Sequence, residues 1–408
     1  MFFARKDRDI VAVEIGTGKM VAAVANVGRD GLVRILGVGE GPSAGIRKGE
    51  IIEADAAREA LRDVIGKAED SSGVEIMEVY LSLSGAHIEC ALQTATAEIR
   101  GEEQHIDEED VAVVCRAAEE AQLPPDRLHV ATLPGVFRID GGEPVSRPIG
   151  MLGHRLDGEF LVVNGVASRL KNIISRVQEL SIRVEDVVLA PVASAERVLG
   201  PELREAGALV LDLGAGLTHF AVVLEDRVVH LGVIGVGGDH LTQDISRAFN
   251  LPRANAEELK TQHGTVEPAA FEDGETIELK ARSGFAGKQL MAKELAMVMR
   301  ARWEETFEIV REQIPEEMLA VLGGGVVLTG GGSRTRGLAA LAERVLGLST
   351  APAHTGGLAG NIDIIAKPEL STVLGSLIWA QCRIEEEREK ENFGRKFRRA
   401  LQQVRMML

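Results

Sequence analysis

Cysteine, aromatic side chains and long apolar runs are all scarce in this chain. The three cysteines, Cys90, Cys115 and Cys382, lie too far apart for a metal knuckle or a redox pair, so reduced thiols in a cytosol are the simplest reading. No stretch approaches the roughly 18 apolar residues of a membrane-spanning helix. The opening MFFARKDRD has two phenylalanines but no apolar run long enough for a signal peptide. Cations are also in deficit, with 46 Lys and Arg against 62 Asp and Glu and a net charge of -16. A phosphate backbone demands clustered cations, so nucleic acid is excluded as a partner of the body. What remains is abundant Ala, Val, Leu and Gly with only 3% aromatics, which suits an α/β protein of short strands and tight turns. At 408 residues, 45% of them hydrophobic, the chain is long enough for two or more packed domains and reads as soluble and cytoplasmic.

Two segments resemble each other: VAVEIGTGKMVAAVANV from Val11 and LVLDLGAGLTHFAVV from Leu209. Each is an apolar strand ending in a carboxylate, then x-Gly-x-Gly, then a second apolar strand. That pattern predicts a hairpin whose glycines take positive φ and turn backbone N–H groups outward. A repeat spaced by about half the chain predicts two similar domains facing each other, since a solenoid would repeat far more often.

Between and after the copies the pattern changes. Residues 46–70 read as a loop and an amphipathic helix. EVYLSLSGAHIE opens an α+β stretch to about residue 160, in which DEEDVAVVCRAAEEAQ is a helix with an acidic first turn. HVATLPGVFRIDGGEPVSRPIGMLGHRL reads as turns and short strands, and FLVVNGVASRLKNIISRVQELS as a strand and a helix. Residues 240–305 are mostly helical in pattern, with a polar loop near EPAAFEDGE. VVLTGGGSRTRGLAALAERVLG, from Val326, is strand, glycine turn, helix.

A glycine turn presenting successive N–H donors is an anion cradle. Glu14 and Asp212, each closing the strand beside such a turn, are placed to hold a hydrated Mg²⁺ that bridges phosphates, with Thr17 and Lys19 adding a hydroxyl and a cation. One glycine hairpin needs no ligand; two copies with the acid in the same place point to one. The Gly330–Gly331–Gly332 turn lets a flat group lie on the backbone, with Ser333 as N-cap or ligand contact, or else makes a tight strand-to-helix connection. Glu257 and Lys260, at i and i+3 on a predicted helix, either point into one cleft or form a solvated pair.

The end of the chain reverses the overall charge. FGRKFRRALQQVRMML, residues 393–408, carries Arg395, Lys396, Arg398, Arg399 and Arg405 and no carboxylate. Phe393, Phe397, Ala400, Leu401, Val404 and Leu408 share one face at helical spacing, with the cations on the flanks and back. A basic helix with an aromatic-bearing apolar face seeks an anionic lipid surface. Packing on its own domain or on a partner would use the same pattern, but the charged spacer EEEREKEN, 385–392, argues for detachment. One such helix binds lipid weakly; many copies on one filament bind firmly, because each further contact is intramolecular.

These segments resemble the actin-like ATPase superfamily, whose members bind ATP between two domains through a repeated phosphate hairpin and an adenosine glycine turn. More narrowly, EVYLSLSGAHIE and the stretch it opens, VVLAPVASAERVLG, VVLTGGGSRTRGLAALAERVLG and the basic terminus resemble, in order and over essentially the whole chain, the FtsA family of bacterial cell-division actin homologues. The resemblance implies an actin-like (ribonuclease H-like) two-domain α/β fold. It divides the chain into a first core (1–81 and 161–200), an inserted α+β subdomain (82–160), a second core (201–240 and 306–370) and its helical subdomain (241–305). A hinge helix (371–384), the charged linker (385–392) and the membrane-targeting helix (393–408) complete it.

It also implies that Gly16, Thr17, Gly18 and Lys19 form the first phosphate loop and Gly214, Ala215 and Gly216, with Asp212, the second. Gly237 and Gly238 would approach the nucleotide, Glu257 and Lys260 the ribose and base, and Gly330, Gly331, Gly332 and Ser333 the adenosine. Glu14 and Asp212 would serve Mg²⁺ and catalysis. Glu14 replaces the superfamily's usual Asp, and Leu217 stands where many relatives carry Thr, so ATP binding with at most slow hydrolysis is expected. The function implied is a polymerising tether of FtsZ filaments, at the division septum, to the cytoplasmic membrane through Phe393, Phe397, Leu401, Val404, Leu408 and the flanking cations. A PilM-like pilus-assembly homologue, which docks a partner's peptide tail, and a small-molecule kinase of the same superfamily are the rivals. Neither gives the lipid-seeking end a role. Protein cut after Asn392 is expected to stay in the supernatant when sedimented with anionic vesicles, while the full chain pellets; equal pelleting would refute the tether.

Overall fold

The computed structural model describes residues 8–100, 104–120, 122–281, 286–354 and 356–385. The linker from residue 386 and the basic terminal helix lie outside the described residues.

The two repeated segments fold as hairpins, Arg8–Ile15 with Lys19–Val27 and Ala208–Leu213 with Thr218–Leu224, both antiparallel. Each extends into a sheet of its own, with the same order of five strands. In the first, Val33–Pro42 continues the meander on one side, while Glu78–Leu83 and then Arg183–Leu189 add in parallel on the other. In the second, Arg227–Ile234 continues the meander, and Val326–Thr329 and Thr350–Pro352 add in parallel. Central strands covered on both faces must be apolar throughout rather than alternating; accordingly all of Ala208–Leu213 is buried. This duplicated core is the pair of similar domains that the repeat predicts, in the actin-like, ribonuclease H-like architecture that the resemblance implies.

Two helices run between the sheets. Ala190–Val198 follows the last strand of the first sheet, and its Ala195 and Val198 pack under the second. A helix over residues 371–385 lays Val373, Leu374, Leu377 and Ala380 on the first sheet; it occupies the position where a hinge helix is expected, and Glu385 of the expected linker is its last described residue. They cross so closely that a Cβ on Gly375 would lie 1.8 Å from the Ala193 carbonyl oxygen.

The inserted region forms its own four-stranded sheet, in the order Glu89–Glu98, Arg155–Val166, Arg127–Ile139, Pro144–Val145. Its predicted helix is present as Glu108–Glu119, with Asp107 and Asp110 closing a capping box. Of the stretch read as turns and short strands, the part up to Ile139 instead continues one strand of 13 residues from Arg127, while turns and the short strand Pro144–Val145 follow as read. Pro134 is tolerated because the ladder is irregular there, stepping from Leu133 opposite Leu161 to Val136 opposite Glu159. Residues 240–305 also depart from the helical reading. Helices Gly238–Ala248, Arg253–His263 and Ala292–Glu312 are joined by an antiparallel pair, Thr276–Leu279 with Lys288–Met291. Four-residue strands give too short a period-two signal to compete with the helical pattern around them; they form because Ile277, Leu279 and Leu290 join the core of the second lobe.

The helix crossing gives a test in which two effects oppose. In an isolated helix Gly→Ala stabilises by about 1 kcal/mol, but overpacking a closed contact destabilises by about 1–3 kcal/mol. Gly375→Ala is expected to be net destabilising in urea unfolding, because a rigid carbonyl occupies the site; a stabilised variant would show that the helices separate freely.

Candidate nucleotide cleft

The tips of the two hairpins meet. A Cβ on Gly18 would stand 2.8 Å from Ala215 Cβ, and one on Gly216 would stand 2.6 Å from the Thr17 side chain. Within each turn the first glycine has an equivalent constraint: a Cβ on Gly16 would lie 2.7 Å from the Lys19 carbonyl oxygen, and one on Gly214 would lie 2.8 Å from that of Leu217. None of these four glycines has a positive φ. The expected left-handed turns are therefore absent, and glycine is required because a side chain of the opposite turn, or the turn's own return strand, comes too close for a Cβ.

The hairpins border a cavity of about 590 Å³, within the range that holds a small-molecule ligand. Among the predicted residues, Glu14, Gly16, Thr17, Gly18, Lys19, Asp212, Gly214, Ala215, Gly216, Glu257, Gly330 and Gly331 line it. Gly237 and Gly238 stand behind the second loop instead. The Gly238 and Asp239 amides donate to the Gly214 and Ala215 carbonyls at 3.0 and 2.7 Å, so this helix start braces the loop. Lys260 is turned away too: its Nζ contacts Gly238 O, Thr242 Oγ1 and Glu257 Oε2 at 3.1, 2.9 and 2.8 Å. Burial raises the Glu257 carboxyl, but hydrogen bonds from Lys260 and Thr242 outweigh that and hold it below its usual range. Gly332 faces the core, where a Cβ would meet the Trp303 ring at 2.7 Å, and Ser333 Oγ donates to Gly330 O at 2.7 Å as a local cap. Gly330 alone of the three has a positive φ, +79°, and a Cβ on it would lie 2.3 Å from Asp212 Oδ1.

Several residues of the cleft escaped sequence reasoning. Asp212 Oδ2 accepts from Ser194 Oγ at 2.6 Å and Thr372 Oγ1 at 2.8 Å, one from each helix between the sheets. Ser84, within the SLSGAHI stretch, joins His219 Nε2 of the second hairpin at 2.6 Å, linking the two lobes. Burial pushes the His219 imidazole down, against the opposing pull of Asp212. Glu40 pairs with Lys19 at 3.3 Å. Of these only Ser84 had a local signal: it follows the strand Glu78–Leu83 two residues after Ser82, which also lines the cavity. Leu217 is buried, its Cδ1 2.9 Å from where a Gly49 Cβ would stand, so it fills a contact between lobes.

Glu14 and His219 each place an unpartnered buried atom in the cleft; for Glu14 the consequence is electrostatic. Its Oε2 is buried without a hydrogen-bond partner. Burial first, and then the charge of Asp212, push its carboxyl from 4.5 up to about 8, against Lys19 and the Val373 amide. Two like charges in a dry cleft destabilise each other unless a cation joins them. No group of three or more potential metal-ligating side chains occurs among the described residues. The two carboxylates, Glu14 and Asp212, are hard oxygen donors of the kind Mg²⁺ takes together with water and a ligand's phosphates.

A family model described as "Cell division protein FtsA" matches residues 209–375, and one described as "SHS2 domain inserted in FTSA" matches residues 85–164. The cell division protein FtsA of Borreliella burgdorferi is 32% identical over 376 residues, covering 91% of this chain and 90% of that protein. Its namesake in Escherichia coli strain K12 is 32% identical over 376 residues, covering 90% and 89%. Among solved structures, a chain of the PilM–PilN type IV pilus biogenesis complex superposes with a TM-score of 0.63 at 17% identity, covering 91% of this chain and 98% of that one. MreB5 of Spiroplasma citri bound to ADP superposes at 0.56 and 14% identity, covering 93% and 98%. At such identities the likeness is one of fold.

The Glu14 environment sets a pH dependence. Between about pH 4.5 and 8 the native carboxyl keeps a proton that the unfolded chain has lost, so stability falls as pH rises through that window. Glu14→Gln is expected to abolish this component and to exceed the parent in stability at pH 9 by on the order of a few kcal/mol. Urea unfolding of nucleotide-free protein at pH 5, 7 and 9 measures it; identical slopes would mean that Glu14 ionises normally.

Proposed function

The chain belongs to the FtsA family of cell-division actin homologues, and from that premise we propose that it binds Mg²⁺-ATP between its lobes, polymerises, and tethers FtsZ filaments to the cytoplasmic face of the membrane at the septum. The observation that carries the reading is the meeting of the two glycine hairpins over a cavity with a buried, unpartnered Glu14 oxygen beside Asp212.

In this reading Thr17, Gly18 and Lys19 of the first hairpin and Gly214, Ala215 and Gly216 of the second bring amides and one ammonium to the triphosphate. Glu14 and Asp212 face the cation, whose charge offsets theirs and that of the phosphates. Gly330 and Gly331 leave backbone bare for the adenosine. Ser194 and Thr372 hold Asp212 by one oxygen and leave the other toward Gly330. Leu217 brings no hydroxyl to the cation and Glu14 carries an extra methylene, so the cleft is built for binding with at most slow hydrolysis. The basic terminus supplies the lipid contact, and the body of the chain has no helix long and apolar enough to cross a membrane among its described residues.

Asp212→Ala removes one of the two carboxylates and leaves the Ser194 and Thr372 hydroxyls without their acceptor. Calorimetry is expected to show the loss of measurable Mg²⁺-ATP affinity in a protein that still unfolds cooperatively. An unchanged dissociation constant would overturn the cleft assignment.

A further inference from the structure

The glycine turn of the second lobe offers less bare backbone than its sequence implies. Gly332 is turned inward against Trp303, which leaves Gly330 and Gly331 on the cavity wall. The wall is completed by two charged residues of the same cavity, Arg334 and Glu369. They form a two-pronged bond, with Nε to Oε2 at 3.0 Å and Nη2 to Oε1 at 3.1 Å. Arg334 closes the short helical turn after the glycines, and Glu369 comes from the turn that leads into the helix over residues 371–385.

The geometry of this bond matters more than its energy, which at a side chain 57% exposed is small. A fork-to-fork bond consumes the edge of the guanidinium and fixes its plane without using its flat faces. A fixed, planar, weakly hydrated cation is a stacking surface for an aromatic ring, and nucleobases stack on guanidinium planes in this way. Lysine has no plane to offer.

We propose that Arg334, held flat by Glu369, is the platform on which the base of the bound nucleotide stacks, and that it gives the cleft a preference for purine over pyrimidine nucleotides through the larger purine face. The proposal rests on nucleotide binding in this cleft and names the residue that reads the base. Glu369 acts through Arg334 as a positioning residue.

The full chain, with Mg²⁺, is titrated calorimetrically with ATP, CTP and inorganic tripolyphosphate. In the parent protein ATP binds more tightly than CTP. Arg334→Lys and Arg334→Ala each weaken ATP by roughly tenfold, the scale of a partly desolvated cation–π contact, narrow the gap to CTP, and leave tripolyphosphate unchanged. Glu369→Gln, which frees the plane without removing it, gives a smaller loss in the same direction. If Arg334→Lys binds ATP as tightly as the parent, the platform is refuted while the cleft stands. Loss of tripolyphosphate affinity in step with ATP also refutes it, since Arg334 would then act as a charge. A parent protein that binds no ATP sinks the cleft and the platform together.

Discussion

Two turns from opposite lobes approach so closely that a glycine of each has no room for a Cβ beside a side chain of the other, and most of the cleft follows from that contact. Gly18 against Ala215 and Gly216 against Thr17 join the lobes at their carboxylate-bearing ends. Glu14 and Asp212 thereby end up close enough for each to raise the cost of the other's charge. In a solvated loop two acids are unremarkable. Between two sheets, burial and the charge of Asp212 together hold the Glu14 carboxyl well above its usual range.

The same contact connects the cleft to the parts that span both lobes. Asp212 is held by one hydroxyl from each of the two helices between the sheets, and Ser84 of the first lobe meets His219 of the second. The helices touch at Gly375 without room for a methyl group. Any relative rotation of the lobes therefore alters the hydrogen bonds of a carboxylate in the cleft. The bonds in question are short, 2.6 Å from Ser194 and 2.8 Å from Thr372 to the same carboxylate oxygen.

How much of this the sequence disclosed varies with the range of the interaction. The hairpins were legible because strand, carboxylate and x-Gly-x-Gly are contiguous, and their repetition announced the duplicated core. The inserted sheet was only half legible, since Pro134 reads as a break until the ladder irregularity opposite Glu159 and Leu161 accommodates it. The short pair at Thr276–Leu279 and Lys288–Met291 gave no separate signal. Ser194 and Thr372, 178 positions apart, carry nothing locally that marks them as partners of one acid.

By itself the sequence determined the local units: which segments become hairpins, where each acid stands relative to its glycines, and that the cations are concentrated at the terminus. These depend on the alternation, spacing and turn chemistry of neighbouring residues. Only the tertiary structure decided the use of each unit. It replaced positive φ with close approach as the reason for the hairpin glycines, turned Gly332 to Trp303 and Lys260 to the Gly238 carbonyl, and set Gly237 and Gly238 behind the loop. A residue's partner across space is chosen by how the sheets pack, and no pattern of sequence neighbours records that choice.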